Sequence, residues 1–353
     1  MSQPIAILGR GQLGWMLQRA GERIGAEIQL LDPQAPEMPT PDTLITVESE
    51  HWPDNEGTRA LRQHAGWQNA KTLDTLPNRI DQKTLLDQLQ LATAPWCRPQ
   101  ESDSAADLHA TLGPDFLLKS ARGGYDGRGQ CRVKAHENTA LPNWKTNAIA
   151  ESAIAFDTEV SLVGARSRDG HCVFYHLTEN LHTQGVLTFS INQPQRFAAL
   201  QPTAEAMLGK LMTHLDYVGV MAMECFLVGD KLLINELAPR VHNSGHWTQQ
   251  GASICQFEMH LRALLGWPMP QPDETGTTVM VNLLGMEHQP QWLAVPGASL
   301  YWYHKTCRPG RKMGHINLQH PQTEMVAKWL RELALPEDYQ PMREWALQRL
   351  ASL

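Results

Sequence analysis

Short apolar runs alternate with a segment of helical spacing in the N-terminal quarter of the chain. Ile5 to Leu8 is apolar and ends in glycines, residues 12–24 carry apolar positions at helical spacing, and residues 27–31 are apolar again. A further extended segment, residues 42–47, leads into Glu48. Strand, helix and strand in this order predict a parallel α/β sheet whose functional edge lies at the carboxyl ends of its strands.

Residues 94–96 and 101–107 predict a boundary or linker followed by a short helix, and from Phe116 strands joined by glycine-rich turns replace the alternation. Apolar segments 116–119 and 130–133 flank a glycine-rich segment, 123–129, and a longer pair of apolar segments predicts a hairpin over 219–237. A proline-rich linker precedes a last part that begins as a strand and ends in helices. We therefore expect α/β and α+β domains with these bounds: 1–93, 94–270 with a small subdomain at about 94–180, and 271–353.

Composition narrows the classes of protein to consider. The chain has 353 residues, too many for one compact core, and its net charge of -7 lacks the basic footprint of a nucleic-acid-binding protein. No apolar run approaches the ~18 residues of a membrane helix, and Met1 leads almost directly into the first apolar segment, without room for a signal peptide. The cysteines are too isolated for a zinc or redox motif. We expect a cytoplasmic protein with neither nucleic acid nor membrane as a partner.

Three glycines follow the first predicted strand at the spacing G-x-G-x-x-G. They are Gly9, Gly11 and Gly14, and Asp32 ends the next strand. This arrangement is typical of dinucleotide-binding dehydrogenases. Glycines at a strand-to-helix turn also let backbone amides approach any phosphate, or serve only a tight turn. The residues of the loop alone leave all three interpretations open.

Two acids interrupt the apolar strands of the hairpin at 219–237. Glu224 and Glu236 would be costly there without a compensating partner. A two-residue turn at Gly229-Asp230 would pair Glu224 with Asn235 and place Glu236 on the opposite face. We therefore predict a three-residue turn or a bulge that brings the two carboxylates side by side, with a cation between them to relieve their repulsion.

The chemistry predicted for Glu224 and Glu236 is that of a magnesium–nucleotide site. Mg²⁺ takes one or two carboxylates together with phosphate oxygens and water. The segment 123–129 adds a second indication, because its amides can close over phosphates while Lys119 supplies positive charge. It lacks the spacing of a Walker A loop. A surface hairpin with solvated acids is the alternative.

The most specific residues form four motifs, Gly123–Gln130, Glu224–Phe226, Asn235–Thr248 and Arg308–His315. Together they resemble the ATP-grasp enzymes and, within that superfamily, the 5-(carboxyamino)imidazole ribonucleotide synthases of purine biosynthesis, over essentially the whole chain. The resemblance implies an ATP-grasp fold with an N-terminal Rossmann-like pre-ATP-grasp domain and a small C-terminal domain. It also implies ATP and Mg²⁺ as cofactors, aminoimidazole ribonucleotide and bicarbonate as substrates, and a homodimer.

The family pattern implies an extended set of ATP contacts. Lys119 and Arg79 would supply charge for phosphates, Glu159 would accept hydrogen bonds from ribose hydroxyls, and the main chain of 151–154 would contact adenine. Ser152-Ala153 departs from the glutamine-glycine of the family, which changes little if the main chain makes the contacts. The implied set is Arg79, Lys119, Gly124, Tyr125, Asp126, Gly127, Arg128, Gly129, Gln130, Glu151, Ser152, Ala153, Ile154, Glu159, His182, Asn235 and Glu236, with Glu224 and Glu236 as metal ligands.

The resemblance assigns the first glycine loop to the ribonucleotide and displaces the dinucleotide interpretation. A basic cluster in the C-terminal part would bind the 5′-phosphate of the substrate, with a solvated basic turn as the alternative. The implied substrate contacts are Gln12, Leu13, Glu48, Asn243, Lys305, Arg311 and Lys312.

Residues just after the acidic hairpin are expected to line the reaction centre. Arg240 would neutralise charge on the transferring phosphoryl group. Closure of the loop with Tyr125 and Asp126 would exclude water, and Asp126 or His242 would orient or deprotonate the amine of the substrate. The expected catalytic residues are Tyr125, Asp126, Arg240 and His242.

The reaction expected from the resemblance begins with attack of bicarbonate on the γ-phosphate of ATP, which gives carboxyphosphate and ADP. A carbamate then forms on the exocyclic amine of the ribonucleotide. A formate-dependent transformylase acting on glycinamide ribonucleotide shares this activation, but its family has aspartate at the position of Asn243. A dehydrogenase and a non-catalytic nucleotide sensor are the alternatives from other classes.

Overall fold

The computed structural model describes residues 3–123, 129–137 and 140–352. Its N-terminal elements are β1 (Ile5–Leu8), α1 (Gln12–Ile24), β2 (Ile28–Leu31), β3 (Leu44–Val47), α2 (Glu56–Arg62), α3 (Ala70–Thr75) and α4 (Arg79–Gln88). The three strands form a parallel sheet in the order β2-β1-β3, with α1 connecting β1 to β2. The strand–helix–strand arrangement predicted for this part is confirmed, and the glycine loop and Glu48 follow the carboxyl ends of β1 and β3.

A second, antiparallel sheet follows. Its elements are β4 (Trp96–Cys97), α5 (Ala105–Leu112), β5 (Asp115–Ser120), β6 (Gln130–Lys134) and β7 (Ala148–Ser152), and its strand order is β4-β7-β5-β6. Leu108 of the helix packs with Phe116 and Leu118 of β5 in a small separate core. Strands β5 and β6 flank the glycine-rich segment as predicted, and residues 124–128 of that segment lie outside the described ranges.

The largest sheet has nine strands. They are β8 (Thr158–Arg166), β9 (Cys172–Phe174), β10 (Thr178–Thr183), β11 (Val186–Asn192), β12 (Gly219–Val228), β13 (Lys231–Ala238), β14 (Thr277–Leu284), β15 (Ala298–Trp302) and β16 (Lys312–His320). The order is β13-β12-β8-β10-β11-β14-β16-β15, and β9 pairs with β8. Because β11 pairs with β14, this sheet continues across the predicted boundary at residue 270. The three domain ranges stay a prediction.

Helices cover both faces of this sheet. They are α6 (Gln201–His214), α7 (Thr248–Gly251), α8 (Gln256–Leu265), α9 (Thr323–Glu332) and α10 (Gln340–Leu350). Within the described ranges no helix is both long enough and apolar enough to cross a membrane. The combination of a parallel sheet with two antiparallel ones confirms the predicted α/β and α+β classes.

A buried histidine of α8 connects the N-terminal sheet to the large sheet. The Nδ1 atom of His260 accepts a hydrogen bond from the backbone N–H of Val220 at 2.9 Å, and its Nε2 lies 3.1 Å from Oγ1 of Thr46. Since Nδ1 accepts, the proton is on Nε2, which donates to the threonine. Burial lowers the pKa of His260 to about 4, so the ring is neutral at pH 7. This bridge fixes β3 relative to β12.

Glycine allows close packing of α1 against its neighbours. A Cβ on Gly21 would lie 2.3 Å from Cγ1 of Ile28 and 3.3 Å from Cδ1 of Leu261. A Cβ on Gly209 in α6 would meet only Cζ of Phe174, at an ordinary 3.5 Å. The two helical glycines therefore differ in what an added methyl group would do.

We predict opposite effects of alanine at these two positions. Gly21→Ala should lower the free energy of unfolding by about 1–3 kcal/mol, because the methyl group overpacks a closed contact. Gly209→Ala should raise it by up to about 1 kcal/mol through the better helix propensity of alanine. Urea denaturation of both variants tests this, and a Gly21→Ala variant as stable as the parent would contradict the packing argument.

Candidate functional site

A cavity of about 530 Å³ lies where the three sheets meet. Its walls combine residues from the first glycine loop, the second sheet and the hairpin of β12 and β13. The predicted site residues that line it are Gln12, Leu13, Glu48, Arg79, Lys119, Glu151, His182, Glu224, Asn235, Glu236, Arg240, His242, Asn243 and Lys312. Residues predicted as ligands of ATP and as ligands of the ribonucleotide thus face one space.

Other predicted residues lie beside this cavity or beyond what can be placed. Gly124, Tyr125, Asp126, Gly127 and Arg128 fall outside the described residues. The described residues that are not part of the cavity wall are Gly129, Gln130, Ser152, Ala153, Ile154, Glu159, Lys305 and Arg311.

The hairpin that carries the two acids contains the irregularity that the sequence predicts. Its turn is the two-residue Gly229-Asp230, since Val228 pairs with Lys231. The register then shifts by one residue at Asn235, so that Glu224 lies opposite Glu236. The bulge alternative is confirmed, and the odd-length turn is not the device used.

Glu224 has an unpaired oxygen inside the protein. Its Oε1 is buried and accepts no hydrogen bond. The nearest ring nitrogens are Nε2 of His182 at 3.9 Å and Nδ1 of His242 at 3.8 Å, both too long for a hydrogen bond. Burial raises the pKa of Glu224, and the neighbouring charge of Glu236 raises it further. An orphaned carboxylate oxygen beside a second carboxylate is the arrangement that a divalent cation would complete.

Two histidines flank these acids, and their pKa values are shifted in opposite directions. Nδ1 of His182 lies 2.9 Å from Oε2 of Glu159. Burial opposes a charge on His182, but the bond to Glu159 and the charge of Glu224 leave its pKa raised. Burial and the nearby Arg240 hold the pKa of His242 well below its usual range, so that ring is neutral.

The first glycine loop already holds an anion, which is a carboxylate of the protein. The backbone N–H groups of Gly11 and Gly14 donate to Oε1 and Oε2 of Glu48 at 2.8 and 2.7 Å. Gly9 has φ 139°, and a Cβ there would lie 2.1 Å from Cγ of Glu48. The amides at the N-terminus of α1 thus donate to Glu48. The dinucleotide interpretation requires a pyrophosphate at this same place. Asp32 faces Arg10 at 3.6 Å.

The C-terminal basic loop reaches this glycine loop. Lys305 donates to Oε1 of Gln12 and, at 3.3 Å, to the carbonyl of Lys312. Arg311 donates to the carbonyl of Thr306 at 3.0 Å. The structure therefore brings Gln12, from the N-terminal part of the chain, to Lys305 and Lys312 in the C-terminal part.

Asn243 faces the cavity with an unsatisfied amide. The residue is 8% exposed, and neither Oδ1 nor Nδ2 has a hydrogen-bond partner. Buried amides are normally paired, so an unpaired one in a cavity wall indicates a ligand with both donor and acceptor groups.

Sequence reasoning missed two charged residues of the site. Lys83 is buried and its Nζ lies 2.8 Å from Oε2 of Glu151. Glu50 lies 2.8 Å from Nε of Arg240. The available signals were positional, because Lys83 follows Arg79 by one turn of helix and Glu50 follows Glu48 at the edge of a strand.

Two predicted ATP contacts have roles within the protein as well. The NH1 atom of Arg79 donates to the carbonyls of Ser120 at 2.9 Å and Gly123 at 2.6 Å, at the base of the glycine-rich segment. The backbone amides of Ser152 and Ala153 donate to Pro95 and Asp115 carbonyls, each at 2.9 Å. An adenine contact in the segment 151–154 would therefore involve other main-chain atoms.

Comparison with known proteins indicates the same enzyme family as the sequence motifs do. The ATP-grasp domain family matches residues 84–257, and the phosphoribosylaminoimidazole carboxylase C-terminal domain family matches residues 278–328. An N5-carboxyaminoimidazole ribonucleotide synthase of Haemophilus influenzae is 48% identical, over 98% of this chain and 97% of its own.

Solved structures of the same family share the fold. The N5-carboxyaminoimidazole ribonucleotide synthetase of Thermus thermophilus has a TM-score of 0.83 at 37% identity, over 94% of this chain and 99% of its own. The carboxyaminoimidazole ribonucleotide synthase of Aspergillus clavatus, complexed with ATP, has a TM-score of 0.80 at 25% identity, over 99% of both chains. This chain therefore belongs to the N5-carboxyaminoimidazole ribonucleotide synthase family of ATP-grasp ligases.

Proposed function

We propose that this chain uses ATP to carboxylate 5-aminoimidazole ribonucleotide with bicarbonate, producing N5-carboxyaminoimidazole ribonucleotide, ADP and phosphate. The observation that carries the proposal is the single cavity that joins the Glu224–Glu236 pair to Gln12, Asn243 and Lys312. A nucleoside triphosphate bound at the acidic pair and a ribonucleotide bound at the glycine loop would meet inside this cavity. The family to which the chain belongs supports the same reaction in purine biosynthesis.

Glu224 and Glu236 are the residues proposed to hold Mg²⁺. The unpaired Oε1 of Glu224 and the carboxylate opposite it fit that ion. When bound, Mg²⁺ would neutralise negative charge on the phosphates of ATP. In the described part of the chain no cluster of three or more His, Cys, Asp or Glu is arranged to hold a metal.

The reaction consists of two displacements. An oxygen of bicarbonate attacks the γ-phosphorus of ATP, the bond from that phosphorus to the β–γ bridging oxygen breaks, and ADP leaves. The exocyclic amine of the ribonucleotide then attacks the carbonyl carbon of carboxyphosphate, which expels phosphate, and the amine loses one proton. Both steps move negative charge, so fixed positive groups at the cavity wall stabilise them.

Arg240 and Lys119 are the cationic side chains proposed for that role. Glu50 orients Arg240 through an ion pair of 2.8 Å. Lys119 donates to Oδ1 of Asn235 at 3.2 Å, which directs its charge toward the acidic hairpin. Fixed partners of this kind keep each cation in place before the substrates arrive.

Asp126 and His242 are the two residues proposed to orient or deprotonate the amine of the ribonucleotide. Burial and the nearby Arg240 hold the pKa of His242 well below its usual range, so its neutral ring is able to accept a proton. Its Nδ1 lies 3.0 Å from Oγ of Ser244 and 3.3 Å from the backbone nitrogen of the same residue. Residence in the cytoplasm and a homodimer stay predictions.

A direct assay tests the proposed reaction. Protein, Mg-ATP and bicarbonate should release ADP at a rate that rises strongly when aminoimidazole ribonucleotide is added. Absence of ribonucleotide-dependent ADP release would overturn the proposal. A requirement for formate with glycinamide ribonucleotide would instead identify the transformylase, and oxidation of NADH a dehydrogenase.

Removal of either metal-binding charge should reduce turnover. Glu224→Gln and Glu236→Gln should each lower kcat by about 100-fold or more. Each change removes a carboxylate ligand of the proposed Mg²⁺, whose charge would stabilise the transferring phosphoryl group. Asp230→Asn at the exposed turn of the same hairpin is the control and should retain the parent kcat. Steady-state ADP release measures all three, and a normal kcat in either glutamine variant contradicts the metal role.

The basic loop should act on ribonucleotide affinity. Lys305→Ala should raise the KM for the ribonucleotide about tenfold and leave the KM for ATP near the parent value, since a charge-assisted phosphate contact is lost. Lys328→Ala in α9, which removes an exposed lysine, is the matched control. An equal rise in both KM values would argue against a phosphate contact specific to the ribonucleotide.

A further inference from the structure

Two lysines share one buried carboxylate behind the acidic hairpin. Lys83 lies 2.8 Å from Oε2 of Glu151, and Lys119 contacts the other oxygen, Oε1. The side chains of Lys83 and Glu151 are each 3% exposed. Burial alone would raise the pKa of Glu151, but the two ammonium groups lower it below its usual range, so the group is ionised. Burial lowers the pKa of Lys83, and the adjacent carboxylate of Glu151 opposes that shift.

Hydrogen bonds extend from this group to two adjacent residues of β13. Lys83 donates to Oγ1 of Thr93 at 2.6 Å, and that hydroxyl donates to the carbonyl of Ile234 at 2.6 Å. On the other side, Lys119 donates to Oδ1 of Asn235 at 3.2 Å. Since residues 234 and 235 are neighbours, the polar contacts form a closed ring that joins α4, β5, β7 and the segment before β4 to β13.

The position of this ring determines what it can do. Asn235 is the bulge residue, next to the proposed metal ligand Glu236, and Lys119 is the cation of the ring nearest to it. With Lys119 alone, Glu151 would neutralise that lysine and hold it away from the cavity. Lys83 engages the second oxygen of Glu151, so Lys119 keeps its positive charge for a phosphate.

We propose that Lys83 and Thr93 are positioning residues that act through Glu151 to hold Lys119, and its charge, at the bulge where the phosphates of ATP bind. Thr93 connects the ammonium group of Lys83 to the backbone of β13, and Lys83 fixes the carboxylate that orients Lys119. The inference rests on the proposed function in one respect, which is that a nucleotide phosphate occupies the cavity beside Asn235.

Replacement of Lys83 tests the proposal through the phosphates of the ligand. Calorimetric titration with Mg-ADP and with adenosine separates phosphate contacts from base and ribose contacts. Lys83→Met should raise the Kd for ADP about tenfold, the effect of one charge-assisted hydrogen bond, and leave the Kd for adenosine within about twofold. Lys210→Met is the matched control, because that exposed lysine donates to the carbonyl of Leu89 at 2.6 Å, is not among the described residues that line the cavity, and should change neither value.

A second pair of variants keeps every charge of the ring. Thr93→Val removes the hydroxyl at nearly constant shape and should raise the Kd for ADP about threefold, with adenosine unchanged, because the hydrogen bond from Lys83 and the hydrogen bond to the carbonyl of Ile234 are both lost. Thr93→Ser retains the hydroxyl and should restore the parent value. If Lys83→Met does not fold, this pair of variants still tests whether the ring positions Lys119.

Three outcomes would overturn the inference or its premise. A lower melting temperature with an unchanged ratio of ADP to adenosine affinity would make Lys83 and Thr93 purely structural. Equal weakening of both ligands would place the effect at the base or ribose. Failure of the parent protein to bind ADP at all would overturn the proposed function itself, so the two failures are distinguishable.

Discussion

One extra residue in β13 determines which side chains of the large sheet face the cavity. After a two-residue turn, strict alternation would direct Glu236 away from Glu224. The bulge at Asn235 places Glu236 opposite Glu224. It also leaves the amide of Asn235 next to Lys119. A single irregularity therefore sets the carboxylate pair and the location of the nearby ammonium group. The cation proposed between the two acids would relieve their repulsion.

The cavity belongs to no single part of the chain, and polar contacts hold its parts in register. Arg240 reaches Glu50 beyond β3, Lys305 reaches Gln12 at the start of α1, and His260 joins β3 to β12. Each contact connects segments that are distant in sequence. Apolar packing between α1 and α8 brings these segments close, whereas the directional bonds select one arrangement among the many that would bury similar area. The geometry of the site thus depends on contacts that lie one layer behind it.

The sequence predicts those features that follow from local periodicity. Period-two counting along one hairpin predicts an irregularity between Glu224 and Glu236, either a three-residue turn or a bulge, because the turn and both acids lie within a few residues. The partners of Lys83 and Glu50 were not predictable in this way, since they come from distant elements whose approach only the fold defines. The side chain of Glu151 shows the same limit: the family pattern implied main-chain contacts in its segment, whereas the carboxylate itself pairs with two lysines.

Glu48 has a consequence for the interpretation of glycine-rich fingerprints in other chains. The loop satisfies the spacing of a dinucleotide-binding motif, yet its amides are occupied by an acid that follows Gly14 by 34 positions. A pattern that contains only the glycines cannot distinguish a loop open to an external phosphate from one closed by an internal carboxylate. Including the residue at the end of the third strand would separate the two classes. In chains of the second class, the glycines are constrained by a neighbouring side chain and carry no information about coenzymes.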